Sequence, residues 1–169
     1  MLLLRLNDAF CRLLMIVAAT WTFCLCFFIL ADIVFRAVDL PLQGTKEIVA
    51  NSVVIIIFLQ VGFAIRSGSM LRADFLVHMF GPMARKILAL IGYALGAAFF
   101  LYLAKSGVTP AIRSWVNGEF DGEGALPVPV WPARWMIVVG SAIAGINYII
   151  LALIELAASA DGDEGAGHV

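Results

Sequence analysis

The chain has 169 residues, of which 63% are apolar and 14% charged, and its formal net charge is −1. Soluble domains average about 45–50% apolar and about 25% charged, so this composition excludes an ordinary water-soluble fold. With no basic stripe it also excludes a nucleic-acid partner. An integral membrane protein in contact with membrane lipid remains.

Four windows reach or approach the roughly 20 residues needed to cross a bilayer: Leu13–Phe35, Ile48–Ile65, Ile87–Ala104 and Trp135–Ile154. None alternates as a barrel strand would. The sequence therefore predicts an all-α integral membrane protein, with four transmembrane helices and short interfacial helices. It forms one domain over residues 1–157, and a small, acidic, disordered tail fills 158–169. An even number of spans puts both ends on one side.

Residues 1–12 interleave Arg5, Asn7, Asp8 and Arg12 with leucines and read as an interfacial first turn. The apolar run that follows is too long for a signal peptide, and no small-residue cleavage pattern follows it, so an uncleaved anchor is expected. Trp21 reads as a packing residue. Cys11, Cys24 and Cys26 show no metal or redox spacing and read as small core residues.

The first two runs are joined by D-I-V-F-R-A-V-D-L-P-L-Q-G-T-K-E-I-V-A-N, from Asp32 to Asn51. Asp32 and Arg36 are four apart and share a helix face, while Lys46 and Glu47 open the second run. A carboxylate beside hydrocarbon costs a few kcal/mol on insertion scales unless it is paired. Asp32, Arg36 and Glu47 are therefore expected to clamp the first two helices at one membrane edge. Asn51 and Gln60 lie about 180° apart around the second helix and cannot line one track; isolated interhelical hydrogen bonds are expected.

Residues after Arg66 form a short amphipathic segment with Leu71, Phe75, Leu76, Met79 and Phe80 on one face. Asp74 and His78 share another face, and Gly81-Pro82 ends the segment. It is too short to span and is expected to lie in the interface. Arg66 and Asp74 are expected to fix this connection, and His78 reads as a surface histidine.

In the third span Gly92 and Gly96 form a small-xxx-small pair suited to close helix approach, and Tyr102 and Lys105 mark its far edge. Thr109-Pro110 reads as the start of a separate short helix ending at Gly118 and dipping Trp115 into the interface. Glu119, Asp121 and Glu123 then follow among glycines, before the stiff run L-P-V-P-V-W-P-A-R-W. Gly140, Ala144 and Gly145 offer a second close-packing surface on the fourth span, with Asn147 near mid-depth. Arg5, Arg12, Arg66, Arg72, Arg85 and Lys86 stand at the edge of the termini, against Arg36, Lys46, Lys105, Arg113 and Arg134 at the other. The positive-inside rule then places both termini in the cytoplasm.

The sequence has no phosphate-binding loop, no nucleophile elbow and no paired histidines. No enzyme activity, cofactor or metal is therefore expected, nor a self-contained translocation path, which would require polar groups across the bilayer or broken helices.

In this order, the pieces resemble the small membrane subunit (DctQ/SiaQ-like) of tripartite ATP-independent periplasmic, or TRAP, transporters. Asp32 to Arg36 resembles the end of that family's first helix, and Gly44-Thr45-Lys46-Glu47 the opening of its second. Gly62 to Asp74 is similar to its glycine, arginine, glycine and aspartate pattern. Pro127 to Gly140 is similar to its proline and tryptophan approach to the fourth helix. Two positions depart: Gly44-Thr45 stands where a Trp often precedes the glutamate, and Met70 where a histidine is common. That histidine's role is not carried over. The resemblance implies a scaffold beside a large elevator subunit in the bacterial inner membrane. It also implies sodium-driven uptake of an organic acid delivered by a periplasmic binding protein. Arg36, Lys46, Glu119, Asp121 and Glu123 are the expected docking residues. The small four-helix subunit of a tripartite tricarboxylate transporter has a similar layout, and a membrane redox or lipid-modifying enzyme is the alternative from another class.

Overall fold

The computed structural model describes residues 2–40, 42–67, 82–122 and 127–164. Four helices carry the described chain: α1 (Leu2–Ala37), α2 (Thr45–Arg66), α3 (Pro82–Val116) and α4 (Trp131–Glu164). All four are long and apolar enough to cross a membrane. Between α3 and α4, β1 (Phe120–Asp121) pairs antiparallel with β2 (Val128–Pro129), Phe120 opposite Pro129 and Asp121 opposite Val128.

The helices pack α1 on α2, α2 on α4, and α4 on α3. Chain direction then defines two edges. The hairpin edge holds the α1–α2 turn and the β1–β2 hairpin; the terminal edge holds the starts of α1 and α3 and the end of α4. α1 runs antiparallel to α2, and α3 to α4, while α2 and α4 run parallel.

Lipid tails are as apolar as leucine, so burying leucine drives no helix association here; small residues that let backbones approach do. Many of the buried positions recur at a spacing of seven. They include Cys11, Ala18 and, two steps on, Asp32 on α1; Thr45, Ser52 and Leu59 on α2; Ala97, Ala104 and Ala111 on α3; and Ala133 and Asn147, flanking Gly140, on α4. A seven-residue repeat keeps one seam turned to the neighbouring helix when helices cross at a shallow angle.

Individual glycines show how tight the seams are. A Cβ at Gly140 would overlap the Phe58 carbonyl oxygen, so α2 and α4 touch backbone to backbone there. One at Gly62 would meet Ile143 at 2.8 Å and Asn147 and Cys11 at 3.4 and 3.5 Å. On the other side of α4, a Cβ at Gly96 would strike the Tyr148 ring at 2.9 Å, and one at Gly145 would strike Leu101 at 2.9 Å. Tyr148 also stacks on Phe100, with centroids 5.8 Å apart. Ala144 is fully buried. Gly92 breaks the expectation, because nothing lies within 4 Å of a Cβ placed there. It sits four residues before Gly96 but off the seven-residue seam.

Several other expectations are corrected. Pro110 does not open a separate helix but lies inside α3. A proline removes one helical N–H, yet α3 continues because α4 supports it on both sides of the break. Val138 packs against Gly107, and Arg134 Nη1 donates to the Pro110 carbonyl at 3.2 Å. The chain before residue 13 is not a separate turn but part of one continuous α1. α4 starts at Trp131, with Pro132 in its first turn where a missing N–H costs nothing. It runs to Glu164. Cys11 is buried, but Cys24, Cys26 and Trp21 are exposed on α1, away from the seam. The amphipathic segment with Asp74, His78 and Met70 lies outside the described residues.

The seams set up a paired test in detergent. Gly140→Val should destabilise the chain by about 1–3 kcal/mol or more, because overpacking against backbone has no side chain to yield. Gly92→Ala should cost nothing and can gain up to about 1 kcal/mol of helix propensity. Thermal melting followed by circular dichroism distinguishes the two.

Candidate functional site

The hairpin edge gathers most of the chemistry. Asp32 stands at the end of the α1 seam and turns towards α2 instead of solvent. One turn later α1 stops in a Schellman motif: Leu40 N–H donates to the Phe35 carbonyl at 3.0 Å and Asp39 N–H to that of Arg36 at 3.3 Å, with Asp39 at φ 59°. Gly44, at φ 79°, provides the left-handed step from which α2 starts.

This tight reversal lets the Asp32 carboxylate serve three donors. Arg36 Nη2 reaches Oδ2 at 2.9 Å, while the Leu42 N–H and the Thr45 hydroxyl lie 3.3 and 3.1 Å from Oδ1. Thr45 is also 3.0 Å from the Leu42 carbonyl, its alternative acceptor. Asp32 is 6% exposed and Thr45 8%, whereas the Arg36 side chain is 60% exposed. The α1–α2 clamp is thus a carboxylate held by a hydroxyl and a backbone amide, with the guanidinium as an outer cover. Thr45, not Glu47, supplies the α2 side. In the sequence Thr45 stands only within the Gly44–Glu47 motif; its burial seven residues before the buried Ser52 emerges in the fold.

Glu47 lies elsewhere on the same edge. A Cβ added to Gly122, whose φ is +113°, would meet the Glu47 side chain at 3.2–3.3 Å, so Glu47 supports the turn beyond β1. It forms no ion pair among the described residues. Glu119 pairs with Arg134, Oε2 to Nη1 at 2.5 Å, and Val130 N–H donates to the Glu119 carbonyl at 3.2 Å. Trp115 and Trp131 meet edge to face with centroids 4.5 Å apart. Together they close the end of the α3–α4 pair. Between those helices a groove of about 500 Å³ is lined by Gly107, Pro110, Arg113, Glu119, Arg134 and Ile137. Arg113 faces it without an ion pair among the described residues.

The charges expected to meet a partner share this hairpin edge. Arg36, Lys46, Glu119 and Asp121 all lie at this edge, Lys46 and Asp121 exposed; Glu123 is outside the described residues.

At the terminal edge Arg66 pairs with Asp8 on α1, Nε to Oδ1 at 2.7 Å. Asp74, its expected companion, is outside the described residues. Beside it lies a polar node centred on Asn147. Asn7 Nδ2 donates to Asn147 Oδ1 at 2.6 Å, and Asn147 Nδ2 donates to the Ile143 carbonyl at 3.0 Å and to Cys11 Sγ at 3.5 Å. Asn147 is thus fully buried with both amide atoms satisfied. Asn51 Nδ2 is buried without a partner among the described residues, and Gln60 is half-buried. No three His, Cys, Asp or Glu among the described residues come together as metal ligands would.

The clamp has a ranked signature. Asp32→Ala should lower the melting temperature by several degrees, because it leaves the Leu42 amide without its acceptor and removes the carboxylate that ties Thr45 and Arg36 to α1. Thr45→Val should cost less and Arg36→Gln least, since the guanidinium is mostly in solvent. Glu47→Gln should leave the melting temperature unchanged. An Arg36→Gln loss equal to that of Asp32→Ala would contradict this division.

The family model described as tripartite ATP-independent periplasmic transporters, DctQ component, matches residues 25–159, well over half of the chain. No curated protein and no solved structure matches it. With the four apolar spans, the match shows that this chain belongs to the DctQ family of small membrane components of tripartite ATP-independent periplasmic transporters.

Proposed function

We propose that the chain is a static scaffold subunit that braces the large membrane subunit and helps to dock the periplasmic substrate-binding protein. The transport it serves is sodium-driven uptake of an organic acid. The observation that carries this reading is the unequal burial of the four spans. The apolar windows of α2 and α4 are 22% and 28% buried, while those of α1 and α3 are 6% and 0% buried. The two flanking helices therefore present broad apolar faces, and large apolar patches mark partner or membrane contacts. A carrier needs polar groups through mid-depth or interrupted helices. Here the described spans are continuous and the ion pairs sit at their ends, which suits a brace and not a carrier.

In this reading the chain lies in the bacterial inner membrane with the terminal edge in the cytoplasm, where Arg5, Arg12, Arg66, Arg85 and Lys86 stand. The hairpin edge then faces the periplasm. There Arg36, Lys46 and Asp121 are exposed to a partner, and Glu123 is two residues beyond Asp121 in the sequence. Glu119 has a different part. Its pairing with Arg134 ties the end of α3 to the start of α4, so the docking charges are the exposed ones.

Two measurements test the proposal. Proteoliposomes holding this chain alone should accumulate no solute under a sodium gradient, and adding the large subunit and binding protein should start uptake. Accumulation by the chain alone would refute the scaffold role. For docking, Asp121→Asn with Glu123→Gln should weaken binding-protein capture several-fold at low salt, and less as salt screens the charges. An unchanged Kd would remove this loop from the interface.

A further inference from the structure

On the outer face of α1 at the terminal edge, a groove of about 420 Å³ is lined by Arg5, Asp8, Ala9, Arg12, Leu13 and Ile16. Three of its properties belong together. The first is charge. Arg5 and Arg12 are exposed and have no ion pair among the described residues, while Asp8 between them is already paired with Arg66. Three guanidiniums against one carboxylate leave a local charge of +2.

The second is depth. Asp8 meets the last residue of α2, and Asp32 meets the first. The 21 steps from Thr45 to Arg66 rise about 32 Å, close to one hydrocarbon thickness. Asp8 and Arg66 therefore stand at the hydrocarbon boundary. Arg5 lies about 4–5 Å further out, and Arg12 about 6 Å further in, within reach of the boundary by snorkelling. Both guanidiniums are thus within reach of the level of lipid phosphates. The third is polarity: below Arg12 the lining becomes apolar at Leu13 and Ile16, and Ala9 leaves room between the two arginines.

We propose that this groove is a binding site for an anionic phospholipid, with its phosphate between Arg5 and Arg12 and an acyl chain along Leu13 and Ile16. A basic pocket at a membrane edge suits such headgroups, and paired guanidiniums suit phosphate oxygens. The apolar lower half selects a lipid over a free phosphate ion. Asp8 contributes by holding Arg66 nearby while its own charge is cancelled.

Native mass spectrometry of the full chain in detergent, with phosphatidylglycerol added, tests the site. The wild type should retain phosphatidylglycerol in preference to phosphatidylcholine, and millimolar inorganic phosphate should not displace it. Arg5→Gln with Arg12→Gln should cut retention at least tenfold. Arg5→Lys with Arg12→Lys should keep most of it, and Arg113→Gln at the other edge should change nothing. Unchanged retention in the double Gln variant, equal retention of phosphatidylcholine, or displacement by phosphate would overturn the proposal.

Where the double variant does not fold, the wild type decides. A phosphatidylglycerol carrying a diazirine on its acyl chain should label the segment from Ala9 to Ile16. Label spread evenly over the spans would overturn the site. So would absence of label there in the assembled transporter, the result expected of an acidic protein segment occupying the groove.

Discussion

Asp32 is the group on which the α1–α2 hairpin depends. A carboxylate at the end of a membrane span must find donors, and the tight reversal at Asp39 and Gly44 delivers the Leu42 amide and the Thr45 hydroxyl to it. The Asp8–Arg66 pair closes the opposite end of the same two helices. Their separation corresponds to about one hydrocarbon thickness. Two polar ties, one at each boundary, thus fix the register of α1 against α2 where apolar packing alone would let them slide.

α4 then organises the rest. One side meets α2 through Gly140 and Gly62, the other meets α3 through Gly145, Gly96 and Tyr148, and Asn147 reaches α1. In lipid there is little gained by burying leucine, so close contact has to come from small side chains in line. The alanines at 97, 104 and 111 form such a line on α3. Large residues such as Phe23, Phe27, Leu95 and Phe99 are left on the outside. That is the reverse of a soluble protein and leaves the outer faces for a membrane partner.

The closure at the hairpin edge follows from the same packing. Because α3 passes through Pro110 unbroken, it carries Arg113 and Trp115 to the start of α4 at Trp131. The Glu119–Arg134 pair and the two tryptophans join the helices at the top.

Much of this was legible in the residues. Apolar runs of span length dictate four membrane helices, because no other open structure satisfies the backbone in lipid. The four-residue spacing of Asp32 and Arg36 dictates their pairing, and the order of the motifs points to the family. The partners across helices were not legible. Thr45 rather than Glu47 completes the clamp, Asp8 takes Arg66, and Gly92 faces open space although it forms half of an attractive motif. Each outcome depends on how two helices rotate and slide against each other. Many residues far apart in the chain set that geometry jointly, and only the folded bundle decides it.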